Sequence, residues 1–272
     1  MMTLSKNCIS CGQLFEISSA SGGNGIFARI AFRQDKCQPC VDKALAEFQA
    51  QDKRTREASA AFHRREMLAN SGTPLKFQAD AERLDGFDPT GNQGSYKKVL
   101  AYVERFPKNE RPINYPSMII YGRHNGIGKT RLSCGIIRCL IDAWTREEWN
   151  KSPYQFVAMP DLRLQLQMGL RFQAERTTEA VYRDCAQAWL LVLDDVGKES
   201  QYRADDAEVY FKLINDRYNN QLPTIITSNL APDAPWVKGG LSLTDVMGLA
   251  TMSRLREMCS GSVIEIKGED RR

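Results

Sequence analysis

Apolar residues in this chain fall in short runs, separated by polar stretches with helical periodicity. "SMIIYG" (117–122) is a continuous apolar run bounded by turn residues and reads as a buried strand. Behind it, Leu132, Ile136, Leu140 and Ala143 recur at helical spacing and predict a helix over 129–144. "YQFVAM" is a second strand, and Pro160 suits the first turn of the helix that follows. "WLLVLDD" is a third strand, 206–220 a helix and "PTIITSN" a fourth strand. Ser242 with Asp245 resembles a capping box opening one helix that ends near Met258, and "SVIEIKG" is a final strand. Strands alternating with helices predict an α/β domain with a parallel sheet and flanking helices from about residue 80 onward.

The region before that domain has a different pattern. Residues 41–70 lack glycine and proline, are densely charged and read as a helix that "SGTPLKF" breaks. Residues 1–45 hold four of the eight cysteines and a Gly/Ser-rich loop, "SSASGGNG". The expected organisation is a small cysteine module over 1–45, a charged helical linker over 46–72 and the α/β domain over 73–272. No internal repeat is present.

Composition adds limits. Apolar residues make up 42% of the 272, enough for a core, and charged residues 26%. A net charge of +4 permits a polyanionic partner without demanding one. No apolar run approaches the roughly 20 residues that span a bilayer. The start, "MMTLSKNCISCG", has no apolar signal region. The expectation is a cytoplasmic protein without membrane contact, its cysteines reduced thiols or metal ligands.

Two patterns carry chemistry. In "YGRHNGIGKTR", Gly126, Ile127, Gly128, Lys129, Thr130 and Arg131 follow a strand and open a helix, the context of a phosphate-binding loop. Backbone N–H groups there would face phosphate oxygens, Lys129 would reach the β and γ phosphates, and Thr130 would hold Mg²⁺. The leading glycine of the usual pattern belongs at 123, but it stands at Gly122, so the loop's first arm is one residue longer and Arg123, His124 and Asn125 are expected to bulge. "LLVLDD" ends a strand in two acids. Asp194 suits the Mg²⁺ shell and Asp195 a base or orienter of the attacking water. Asn229, closing "TIITSN", fits a water-orienting residue. Arg254 in "SRLREM" fits an arginine that neutralises transition-state charge, with a solvated helix face as the equal alternative. A small-molecule kinase would share the loop, but the chain offers no arginine-rich lid segment for one.

The second pattern is Cys8-x2-Cys11 and Cys37-x2-Cys40, with 25 residues between the pairs. Four thiolates in two such knuckles make a closed tetrahedral Zn²⁺ site, and "IFARIAF" between them suits a strand of a zinc ribbon; an iron–sulfur cluster is a lesser possibility. Cys134, Cys139, Cys185 and Cys259 read as core packing.

"GIGKTRLSCGI", "FVAMPDLRLQLQ", "WLLVLDDVGKES", "INDRYNNQLPTIITSNL", "MSRLREMC" and "GEDRR" together resemble the AAA+ ATPases of the DnaC/DnaI type, replicative helicase loaders, with IstB-type transposition ATPases as close relatives. The resemblance covers about 73–272. It implies a P-loop sheet with the cradle strand central and a short or absent C-terminal lid. It implies ATP and Mg²⁺ as cofactors, Lys129 and Thr130 as the Walker A pair, and Asp194 and Asp195 as the Walker B acids. Asn229 becomes the first sensor, and Arg254 an arginine finger acting in trans within a homo-oligomer. The implied partners are a replicative DNA helicase, gripped through the zinc module, and single-stranded DNA. Arg163, Arg171, Lys198 and Arg203 are candidates for phosphate contact, as are Lys53, Arg54, Arg56, Arg64 and Arg65. The alternative is a transposition regulator that assembles on duplex DNA and recruits a transposase.

Overall fold

The computed structural model describes residues 3–18, 35–79, 83–145, 152–171, 178–198 and 204–270. "IFARIAF" and Arg203 lie outside the described residues. The chain divides into two compact units, Met1–Ala61 and Phe62–Arg272.

In the first unit, β1 (Thr3–Asn7) and β2 (Leu14–Ser18) form an antiparallel hairpin, with Thr3 opposite Ser18 and Asn7 opposite Leu14. Cys8 and Cys11 sit in its turn. The Cys8 N–H donates to the Gln13 carbonyl at 2.9 Å, and the Gly12 N–H to the Cys8 carbonyl at 2.8 Å. Gly12 has φ 73°, a left-handed turn position that suits glycine. Helix α1 (Gln38–Asn70) begins at the second cysteine pair. Ion pairs four residues apart, Arg56–Asp52 and Lys53–Glu57, brace its charged surface. Its last residues belong to the second unit, where Met67 and Leu68 are buried.

The second unit is a five-stranded parallel sheet in the order β4-β5-β6-β3-β7. The strands are β3 (Met118–Tyr121), β4 (Tyr154–Ala158), β5 (Leu190–Val196), β6 (Thr224–Ser228) and β7 (Val263–Glu265). Between and before them run α2 (Gln93–Arg105), α3 (Lys129–Asp142), α4 (Met159–Arg171), α5 (Thr178–Gln187), α6 (Ala204–Asn219), α7 (Leu243–Met247) and α8 (Leu249–Cys259). Helices cover both faces, and side chains alternate between two cores. Ile120, Val192 and Ile225 pack with Leu132, Ile136 and Leu140 of α3. Ile119, Leu191, Leu193 and Ile226 pack on the other side with Leu213, Ile214 and Leu255. Burial on both faces is why these strands read as unbroken apolar runs.

Two expectations change. The single helix expected from Ser242 to about Met258 is two, α7 and α8, broken at Gly248 with φ 82° and ψ 151°, a backbone position that only glycine takes without strain. The capping box itself forms in both directions between Ser242 and Asp245. Helix α2 went unforeseen, although Val99, Tyr102 and Phe106 follow helical spacing along its buried side. Cys134, Cys185 and Cys259 are buried and Cys139 partly so, in line with packing roles.

Candidate nucleotide and metal sites

Because the sheet is parallel, the carboxyl ends of β3, β5 and β6 emerge at one edge, where α/β sheets bind ligands. β6 lies between the cradle strand and the acidic strand. The loop after β3 turns through Gly126 (φ 69°) and Gly128 (φ 97°), and Gly128 caps α3 in the left-handed conformation. Lys129 is buried, and its Nζ donates to the carbonyls of Gly122 at 3.1 Å and His124 at 2.8 Å. The lysine thus closes the loop's lengthened arm onto itself, while Arg123, His124 and Asn125 are exposed.

The displaced glycine has a packing reason. A β-carbon at 122 would strike the carbonyl oxygen of Ile266 and come within 2.6 Å of Ile127 Cδ1. The backbone after β7 crosses the loop here, with the Ile266 N–H donating to the Tyr121 carbonyl at 2.7 Å. Asn92 of the segment before α2 holds this crossing from both sides, donating to the Lys267 carbonyl at 2.7 Å and accepting its N–H at 2.8 Å. Further along, the Asp270 carboxylate lies against Gly126, where a β-carbon would collide with it.

Thr130 Oγ1 donates to Asp194 Oδ2 at 3.0 Å. Two ligands at adjacent corners of an octahedral Mg²⁺ stand about 3.0 Å apart when each bond is about 2.1 Å, so this pair fits that ion. Asp194 is 4% exposed, and burial pushes its carboxyl above the usual range. Hydrogen bonds from Thr227 and Thr130 pull the other way, while the neighbouring Asp195 adds to the rise. Such a group is one that a bound cation stabilises as the anion. Asp195 Oδ2 pairs with Lys198 Nζ at 2.7 Å, so Lys198 directs its charge at an acid of this cleft.

These groups line a cleft of about 600 Å³ whose far wall is Pro74, Lys76, Phe77 and Phe87. The Phe87 ring stacks on Tyr96 with centroids 5.6 Å apart and lies close against Gly128. Arg131 donates to the Gly86 carbonyl at 2.9 Å and so ties this wall to α3. Asn229 lies at the cleft too, its Nδ2 donating to Asn125 Oδ1 at 2.9 Å and its own Oδ1 buried with no partner. Arg254 is not in the cleft of its own chain; its guanidinium stacks over Phe211 at 5.0 Å and donates to the Ala250 carbonyl at 3.1 Å.

In the first unit, the sulfurs of Cys8, Cys11, Cys37 and Cys40 all lie within 4.8 Å of one another. A Zn²⁺ with four Zn–S bonds of about 2.3 Å places its sulfurs roughly 3.8 Å apart, and the Cys11–Cys37 separation is 3.6 Å. Burial works against ionising Cys8, but the N–H groups of Cys37, Cys11 and Ser10 outweigh it and hold the thiol down at about 6. Cys40 is pushed up to about 12 by the sulfurs of Cys11, Cys37 and Cys8 beside it. Four crowded thiols of which one ionises at its neighbours' expense form a donor set suited to a divalent, thiophilic cation.

No protein-family model matches this sequence, and no curated protein matches it. Solved structures do. A DnaC helicase loader superposes with a TM-score of 0.52 at 22% identity, over 70% of this chain and 100% of that one. A DnaI structure gives 0.51 at 22% identity, over 70% and 90%. AMPPCP-bound DnaA from Aquifex aeolicus gives 0.50 at 21% identity, over 70% and 51%. The chain has the AAA+ fold. The cradle strand is β3, second from one edge of the sheet and not central as the resemblance implied; β6 is the central strand and β5 the acidic one. Sequence reading missed Phe87, Phe77 and Asn125 as parts of the cleft, and Thr227 as the buried partner of Asp194. None belongs to a charge pattern, and only "TIITSN" offered a signal, as the polar end of an apolar strand.

Proposed function

We propose that this protein is a cytoplasmic ATP-dependent loader of a replicative DNA helicase. The observation that carries the reading is the pairing of Thr130 with Asp194 across β6, with Lys129 at the head of the same helix. That arrangement holds a triphosphate and its Mg²⁺ in one place. Gly126–Arg131 would hold the phosphates of ATP, and Phe77 and Phe87 offer an apolar surface to its base. Thr130 and Asp194 would hold Mg²⁺, which would supply charge neutralisation at the phosphates. Asp195 and Asn229 orient the attacking water. Arg254, turned away from its own cleft, completes the site of the next subunit in a homo-oligomer. Single-stranded DNA is held by that assembly, and the zinc-bearing unit docks on the helicase.

The likeness to structures named as DnaC and DnaI loaders, over nearly their whole length, supports the loader role over other AAA+ work. The test combines two measurements. ATP hydrolysis should rise with single-stranded DNA and fall in Asp195→Asn. Co-purification with a replicative helicase should disappear when residues 1–70 are deleted. Retained helicase binding after that deletion, or stimulation by duplex DNA alone, contradicts the loader reading.

A further inference from the structure

Strand β5 does not run evenly into its acidic end. It pairs with β6 through Leu193 opposite Ile226, and the ladder resumes at Val196 opposite Ser228. Two residues on β5, Asp194 and Asp195, therefore face one on β6, Thr227. This is a β-bulge, a device that re-aims side chains at the end of a strand. Asp195 takes φ 57° within it, in the left-handed region, where a non-glycine residue is held against its preference.

Thr227 spans this irregularity. Its side chain is buried at 0% exposure. The hydroxyl accepts the Asp195 N–H at 3.0 Å and donates to Asp194 Oδ1 at 2.6 Å. One oxygen thus grips the backbone of one acid and the side chain of the other. Beyond the bulge, the Ser228 hydroxyl donates to the Val196 carbonyl at 2.7 Å and closes the far side.

We infer that Thr227 is a positioning residue for nucleotide hydrolysis, one that sets the aim of both acids without touching the nucleotide. The argument rests on the nucleotide reading above. With Oδ1 of Asp194 held by Thr227, Oδ2 is the oxygen presented to Thr130, and the carboxylate is fixed in one orientation. The grip on the Asp195 N–H keeps the bulge from relaxing. A one-residue slip in a strand sends each side chain to the opposite face. A relaxed β5 would turn Asp195 out of the cleft, and its pairing with Lys198 would go with it.

The test uses the full chain with Thr227→Val, which removes the hydroxyl at nearly constant shape, and Thr227→Ser, which keeps it. The readouts are kcat and KM for Mg-ATP, with melting temperature alongside. Partners that orient a reactive or metal-binding group are worth roughly 10–100-fold. Thr227→Val should lower kcat by that factor with KM within about threefold, and Thr227→Ser should return kcat to within about threefold of wild type. In an Asp195→Asn background the Val substitution should cost less than it does alone, because one of the two acids it aims has lost its carboxylate. Thr227→Ala replaces the Val variant if that one does not fold. Unchanged kcat in the hydroxyl-free variant, or failure of serine to restore it, overturns the assignment while the ATPase reading stands. A wild-type protein that neither binds nor hydrolyses ATP overturns both.

Discussion

Removing metal from the cysteine cluster should unfold the hairpin of the first unit and leave the second unit intact. Among the described residues of Met1–Ala61, the buried apolar side chains are Cys8 at 2% and Cys37 at 5% exposure. Two buried thiols contribute at most about 3 kcal/mol. Ordering the ten residues of β1 and β2 costs about 10–20 kcal/mol of chain entropy. A structural Zn²⁺ contributes about 10–16 kcal/mol, a term of the same size as that cost. The hairpin therefore folds with the metal and unfolds without it. Metal analysis should find one zinc per chain in the purified protein. Hydrogen exchange should show the amides of residues 3–18 protected before chelation and fully exchanging after it, with β3 to β7 unchanged. Cys11→Ser should behave as the chelated protein does. Protection of β1 and β2 that survives complete metal removal would refute the reasoning.

Further outcomes follow from single contacts. Thr130→Ala should weaken ATP binding in Mg²⁺ by roughly tenfold and leave binding in EDTA within about threefold, read by fluorescent nucleotide titration. Gly122→Ala puts a methyl group against the Ile266 backbone and should cost about 1–3 kcal/mol, a fall of about 3–10 °C in melting temperature. Arg217, 0% exposed, donates to the carbonyls of Cys185, Ala186, Ala188 and Pro223 and to Thr224 Oγ1. Arg217→Met strands those carbonyls and should cost at least about 3 kcal/mol in urea unfolding. Asp245 has its carboxyl held below the usual range by the Ser242 hydroxyl and N–H, so its capping contribution is present above the unfolded value and is lost as pH falls through the folded one. Ser242→Ala should cost about 1 kcal/mol at neutral pH, and less once the solution is acid enough to protonate Asp245.

Much of the sheet was legible because β3, β5 and β6 are buried on both faces and so must be written as apolar runs. The sequence placed Thr130 at a helix start and Asp194 at a strand end, both visible in the pattern, and the fold brings the two side chains to 3.0 Å of one another. What could not be read depends on how separate segments meet. Gly122 looked like a displaced loop glycine, and its reason is the backbone of Ile266, far away in sequence. Phe87 and Phe77 wall the cleft from a stretch with little periodicity. The break at Gly248 was hidden because apolar spacing carries on through it. The bulge at Asp194 and Asp195 leaves no trace in an apolar run that looks regular.

The central claim is that Lys129, Thr130 and Asp194 form one triphosphate–magnesium site, and calorimetric titration of the full chain with ATP and Mg²⁺ tests it most directly. Lys129 makes charge-assisted contacts worth about 1.5–3 kcal/mol each, so saturable one-to-one binding should weaken roughly 10–150-fold in Lys129→Ala. A folded wild-type protein that gives no binding heat with ATP at several temperatures, and no thermal shift, would contradict the account.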